Sequence, residues 1–391
     1  MADIIDRVEI REYSYNVDGL SRDQQFNVIA VKGASLSFST FALRIWTRDG
    51  AIGEYCPMWG GKSAQLGQAL MIAPALLGRD PNERGAIWED MKRALRQVGF
   101  LGVGVLDICL WDLVGKLVGL PIVDMLGRYR TNLPTYASTL HGSEEGTLTS
   151  KEAFGAFAEH CKALGYPAFK IHGWTDGNVK REIDNILHVR HVVGDDMELM
   201  IDPASVLITF ADALKVGRAC DEVGFFWYED PMRDCGTSAQ LAIKLRECLK
   251  TPLLLMEHVR GIEPKADWLV SRATDFVRAD PELDLGITGT MKIAHIAEGF
   301  GLDCEVHACG PAHRHCMGAM RNSNYYELAL VAPEAPNPVP PIYTCGYSEQ
   351  LEDVGADGCF PVPVDRPGLG VTYDWALIER NTTHVHSFGR N

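Results

Sequence analysis

The chain has no apolar run approaching the roughly 18 residues that a membrane span requires, so no membrane-spanning helix is expected. It has no CxxC pair. Its eleven cysteines are scattered, and Cys109, Cys220 and Cys304 sit in apolar runs, a pattern of buried reduced thiols rather than of a disulfide framework. Positive charge is in deficit: 37 Lys and Arg stand against 52 Asp and Glu, a formal charge of −15 that would repel nucleic acid and anionic membrane, and neither is expected as a partner. The opening MADIIDRVEIREYSYNV carries charges throughout and lacks the apolar core of a signal peptide, so the expected location is the cytoplasm. There is no low-complexity tract, and MWGGKS, around Met58, lacks the spacing of a phosphate loop.

What is present is organised. A chain of 391 residues that is 46% hydrophobic is too long for one ordinary domain and about right for a barrel of roughly 250 residues with a smaller module. DRVEIREYSYNV and FSTFALRIWTRDGAIGEY read as strands of an antiparallel meander, turned at Asp49-Gly50, and helical periodicity follows from Ser63 to about Val118. From Pro134 onward, YAST, FKIH, ELMID, FWYED, LLLMEH, FVRAD, CEVHA and YYELALV alternate with amphipathic helices. Eight strands close a (β/α)8 barrel, whose chemistry lies at the strands' carboxyl ends. Beyond about Ala335 the chain is rich in Pro and Gly and reads as irregular structure returning to the first module. The expected domains are an α+β capping domain over residues 1–130, a barrel over 131–335 and a returning segment over 336–391.

Asp202, Glu229 and Glu257 each end an apolar run, 27 and 28 residues apart (202 to 229, 229 to 257). One strand, loop and helix per step would bring three carboxylates to one rim, an all-oxygen site suited to a hard cation such as Mg²⁺ with positions left open for substrate. The competing reading is that such acids merely start loops or cap helices, as for Asp230 before Pro231, which caps or supports a ligand. Lys170 and His172 alternate on one strand face; Asp280, His307 and Glu327 end later runs.

Taken with GVGVLDICLWDLVGKLVGLPIVDMLG (Asp-x-x-x-x-Asp followed by LPxxxxLG) and VPVDRPGLGV, the chain resembles the enolase superfamily, mandelate racemase subgroup, over nearly its whole length. The resemblance implies a TIM-like barrel with a capping domain, Mg²⁺ on Asp202, Glu229 and Glu257, and a Lys170-Ile171-His172 counterpart of a Lys-x-Lys pair, with Lys170 as a second cation on the substrate carboxylate. It implies a dyad of Asp280 and His307 and an acidic residue, Glu327, on the last strand. It also implies a small-molecule carboxylate substrate and a homo-oligomer.

The implied reaction removes the proton next to a carboxylate and holds the enediolate on Mg²⁺. Dehydration of a sugar acid to a 2-keto-3-deoxy acid leads. Racemisation, epimerisation and cycloisomerisation use the same parts, and an inactive metal-binding scaffold is a different class of answer. Three departures from the pattern stand out: His172 for the second Lys, Ala204 where an Asn is common, and Met256 before Glu257. Trp59 is expected over the barrel mouth or in a domain interface, His258 beside Glu257 as an orienting group or filler, and His313, Arg314 and His315 in a loop that contacts substrate or solvent. Arg278 shares a strand face with Asp280 and is read as a structural partner of the dyad, while His141, His188, His191 and His295 receive no role.

Overall fold

A computed structural model describes residues 3–58 and 62–389. Strands β1 (Ile5–Arg22), β2 (Val28–Thr47) and β3 (Ile52–Tyr55) form the expected antiparallel meander, and Gly50 takes the left-handed conformation (φ 94°) in the turn between β2 and β3. Helices α1 (Lys62–Ile72), α2 (Arg84–Leu95), α3 (Leu101–Val118) and α4 (Ile122–Leu126) follow. The middle helix, α3, is apolar on nearly every side and buried along most of its length. Backbone contact holds it: a Cβ on Gly104 would lie 2.3 Å from the Glu282 carbonyl oxygen of the barrel, and one on Gly53 would lie 2.4 Å from the carbonyl of Cys109.

All eight apolar runs form parallel strands: β4 (Asn132–Thr139), β5 (Ala168–His172), β6 (Glu198–Asp202), β7 (Trp227–Glu229), β8 (Leu253–Leu255), β9 (Phe276–Ala279), β10 (Cys304–Val306) and β11 (Tyr326–Val331). They alternate with α5 (Lys151–Leu164), α6 (Val179–Val193), α7 (Phe210–Val223), α8 (Ala239–Arg246), α9 (Ile262–Val270), α10 (Gly286–Gly299) and α11 (Pro311–Ala319). Helix starts are chemically marked: Ser150, Asn178, Thr209 and Ser238 each accept a backbone N–H of the first turn. The sheet runs β10-β9-β8-β7-β6-β5-β4-β11. Its two ends meet through side chains, where Asn324 donates to Glu305 at 2.6 Å and the Ala308 N–H donates to Glu327 at 2.7 Å. This is a TIM-type barrel with an antiparallel cap.

Alternation along the strands layers the barrel interior. Tyr136, Ala168, Met200, Trp227 and Leu254 form an apolar cluster joined by Phe276 and Tyr325. Two residues further along their strands, Ala168, Met200, Trp227, Phe276 and Tyr325 give way to Lys170, Asp202, Glu229, Arg278 and Glu327, so a charged layer sits directly on a dry plug.

After the barrel, β12 (Cys359–Pro361) pairs with β4, α12 (Trp375–Arg380) follows, and β13 (Thr382–Gly389) pairs antiparallel with β1. Regular structure there departs from the irregular segment expected. The β13 side chains are mostly exposed, so the strand carries no apolar alternation to announce it. Among the described residues no disulfide joins the cysteines, and most of them are buried. Among the described residues, no helix is long and apolar enough to cross a membrane.

Asp112 ties three parts of the cap together. It accepts the N–H groups of Glu54 and Leu369, each at 2.8 Å, and Lys116 Nζ lies 2.7 Å away. Asp112→Ala leaves one buried and one half-buried backbone donor without a partner and should cost about 2–5 kcal/mol in denaturant unfolding. A loss below about 1 kcal/mol would show that the cap does not depend on this junction.

Candidate active site

The charged layer is a square of alternating sign. Lys170 Nζ lies 2.9 Å from Glu229 and 2.8 Å from Glu327, while Arg278 lies 2.8 Å from both Glu229 and Glu327. All four are buried, and Arg278 also donates to the Tyr136 hydroxyl at 3.1 Å. Burial alone would raise the Glu327 carboxyl, but Lys170 and Arg278 outweigh it and hold the group well below the usual carboxylate range. Glu327 is therefore an ionised acceptor. The corner residues come from β5, β7, β9 and β11, which the square fixes at one level. Arg278 thus partners Glu229 and Glu327 rather than the Asp280 dyad with which it shares a strand face.

Three carboxylates gather at the upper edge of this layer, Glu229 being also one of its corners. One ligand atom each from Asp202, Glu229 and Glu257 lies within 4.8 Å of the other two. All three donors are oxygen, two of the residues are buried and one partly so, a set that fits a hard divalent cation. Asp202 and Glu229 are the terminal residues of β6 and β7, and Glu257 follows β8 by two positions. Just beyond the strand ends the backbone turns sharply, with non-glycine residues at positive φ: Ala204 (50°), Ser205 (59°), Asp230 (23°), Met256 (81°) and Ala308 (64°). Such conformations cost about 1–3 kcal/mol each and gather where side chains are aimed at a site.

Histidines flank the carboxylates. His307 Nδ1 donates to Asp280 at 2.7 Å, leaving Nε2 3.4 Å from Glu257. Burial disfavours the imidazolium, yet Glu257 and Asp280 together raise its pKa to about 9. His172 Nδ1 donates to the Thr139 carbonyl at 2.7 Å, and its Nε2 is 3.1 Å from Asp202. These groups surround a cavity of about 340 Å³, lined by His141, His172, Asp202, Asp230, Glu257, His258, His307 and Glu327, among others.

The structure thus brings His172, Asp202, Glu257, His258, His307 and Glu327 to one cavity, with Lys170, Glu229 and Asp280 directly behind them. Lys170, expected as a cation on the substrate carboxylate, is absent from the cavity lining and is committed to Glu229 and Glu327. His313, Arg314 and His315 do not form a loop over the mouth. Gly310-Pro311 opens α11, which buries all three. His313 Nε2 lies 3.8 Å from Asp280, behind the dyad. Arg314 pairs with Glu349 at 2.7 Å and packs on the rings of Tyr347 and Phe360, anchoring the segment after the barrel. Trp59 lies outside the described residues.

Of two further cavity residues, His141 has no role in the sequence reading, and Asp230 is read there as a helix cap or a support for a ligand. His141 stands two residues past β4 and meets the His172 ring edge-on at 5.2 Å. Its position after a strand end was the available signal. Asp230 caps no helix, and its carboxylate opens on the cavity with neither oxygen hydrogen-bonded.

Residues 153–377 match the enolase C-terminal domain-like family, and residues 26–127 match the N-terminal domain of the mandelate racemase / muconate lactonizing enzymes. Over 386 residues the chain is 26% identical to the arabinonate dehydratase of Saccharolobus solfataricus, covering 95% of this chain and 98% of that one. It is 28% identical to the L-talarate/galactarate dehydratase of Salmonella typhimurium, over 84% and 79% of the two chains. The crystal structure of D-glucarate dehydratase from Agrobacterium tumefaciens complexed with magnesium superposes with a TM-score of 0.85 at 27% identity, over 98% of this chain and 100% of that one.

The His307 environment predicts its titration. A histidine whose pKa is raised from 6.5 to about 9 stabilises the fold fully below about pH 6.5 and loses that contribution as pH rises through 9. Asp280→Asn should move the ring's NMR titration to lower pH, and Mg²⁺ added to the wild type should move it the same way by competing for Glu257. An unmoved titration in Asp280→Asn would show that the dyad does not set the charge of His307.

Proposed function

The chain belongs to the mandelate racemase / muconate lactonizing enzyme family, with an enolase-like barrel, and from that premise we propose that it is a Mg²⁺-dependent dehydratase of a sugar acid, an aldonate or aldarate. The observation that carries this reading is that the His307–Asp280 pair opens on the same cavity as Asp202 and Glu257, so a proton acceptor adjoins a cation-binding set. The named relatives, an arabinonate and a talarate/galactarate dehydratase, support the substrate class.

A proton next to a carboxylate is very weakly acidic, because its loss concentrates two negative charges on one group. Mg²⁺ on Asp202, Glu229 and Glu257 would offset that charge where it develops. With Nδ1–H committed to Asp280, His307 in its neutral form presents the Nε2 lone pair and takes the proton from carbon. The imidazolium that forms sits between Asp280 and Glu257, and it returns the proton to the hydroxyl on the next carbon as the C–O bond breaks. Water leaves, and the enol tautomerises to a 2-keto-3-deoxy acid. Lys170 and Arg278 act at one remove, holding Glu327 ionised and both Glu229 and Glu327 in place.

One observation favours a second reading. His172 lines the same cavity with its own Nδ1–H fixed on the Thr139 carbonyl, so its neutral form also offers an Nε2 lone pair, beside Asp202 rather than Glu257. Two bases on different sides of one cavity suit racemisation or epimerisation, with His172 as the alternative base.

Purified protein incubated with Mg²⁺ and a panel of aldonates and aldarates in deuterated water separates the readings. A 2-keto acid formed only with metal, and lost by about 10²–10⁴-fold in His307→Asn, is the expected result. Deuterium at an inverted centre without keto acid would replace dehydration by epimerisation. Neither signal across the panel would sink the sugar-acid assignment.

A further inference from the structure

Asp230 is a rim carboxylate with no part in the reaction above, and its surroundings are unusual. It is 2% exposed, and neither side-chain oxygen has a hydrogen-bond partner. The loop behind it closes tightly: Gly236, at φ 63°, packs so near that a Cβ there would lie 2.2 Å from Asp230 Oδ1. The carboxylate is thereby held toward the cavity it lines. Its electrostatic neighbours there include Glu257, Asp202 and Glu229, all of its own sign. Leaving a buried carboxylate without a donor and beside like charges costs several kcal/mol unless something positive joins it. Lys170 and Arg278 are already committed to Glu229 and Glu327.

The ion-pairing side chain beside it is His258, whose Nε2 lies 3.9 Å from Asp230 Oδ2 and 3.8 Å from Glu257 Oε1. One ligand atom from each of Asp230, Glu257 and His258 falls within 4.8 Å of the other two. Bonds of about 2.0–2.2 Å to a tetrahedral zinc-like ion set ligand atoms about 3.3–3.6 Å apart, so the three side chains would close by at most about 1.5 Å around the ion. We propose that Asp230, Glu257 and His258 form a second cation position, adjoining the one at Asp202 and Glu229 and sharing Glu257 with it, that takes a divalent transition ion rather than Mg²⁺. The donor chemistry sorts the ions: an all-oxygen set suits Mg²⁺, whereas an imidazole among the ligands favours zinc-like ions. His258, whose side chain is 40% exposed, puts the position on the solvent side of the first one. The inference rests on the reading of Asp202, Glu229 and Glu257 as the Mg²⁺ set.

Co²⁺ is the probe, because it occupies zinc-like sites and reports nitrogen ligation in its visible absorption. The full chain, held in excess Mg²⁺, is titrated with Co²⁺, and both metals per chain are measured after gel filtration. The wild type should hold one Mg²⁺ and one Co²⁺. Asp230→Asn and His258→Ala should keep Mg²⁺ and lose the Co²⁺ band, while Asp202→Asn should lose Mg²⁺ and keep the band. His258 is partly exposed, so its variant tests the position even where a change at buried Asp230 disturbs folding. Mg²⁺ binding alone, or Co²⁺ binding unchanged in both His258→Ala and Asp230→Asn, would overturn the second position and leave the first standing. No metal bound by any form would overturn both.

Discussion

Lys170 and Arg278 each bridge the same two carboxylates, Glu229 and Glu327, in the dry middle of the barrel, and the geometry of the mouth hangs on that square. Four charges in a buried layer persist only when each has opposite neighbours at hydrogen-bond distance, and removing one leaves the rest uncompensated at a cost of about 3–5 kcal/mol. The square cross-links alternate strands through the barrel's centre rather than along its wall. A cluster of tryptophan, tyrosine, methionine and leucine lies immediately beneath, so water cannot substitute for a missing partner.

That commitment downward shapes the chemistry above. Two cations satisfy Glu229 and Glu327, whereas among the described residues Asp202 has Lys170 only at 3.8 Å beside His172, and Asp230 and Glu257 are ion-paired by histidines alone. The mouth is therefore an anionic cup on a neutral base. A cation is drawn to the cup, and His307 is charged for the same reason, since Glu257 and Asp280 overcome the penalty of its burial. One excess of negative charge thus sets both the affinity for a dication and the protonation of the nearest base.

Much of this was legible in the chain. Eight apolar runs became eight strands because parallel barrel strands, covered on both faces, need unbroken hydrophobic sequence. The even step between acidic run ends carried Asp202, Glu229 and Glu257 to one rim because each step is one strand and one helix. The failures have physical causes too. His313, Arg314 and His315 look like a solvated basic loop, yet a glycine and a proline start a helix there, and Glu349, distant in sequence, neutralises Arg314. No local pattern encodes such a partner. His141 follows a strand whose sequence, YAST, has no charged end to draw attention to it, and β13 is recruited by pairing with β1 rather than by burial of its own side chains.

The pairing of β13 with β1 orders events in time. A ribosome delivers β1 first and β13 only after every strand and helix of the barrel, so one edge of the cap sheet waits, with its backbone N–H and C=O groups open, through most of synthesis. The barrel can assemble progressively as its units emerge, whereas the cap is sealed only when Thr382–Gly389 comes off the ribosome. The open edge of β1 in the growing chain is accordingly the surface on which a nascent copy would be expected to meet a chaperone or another unfinished chain.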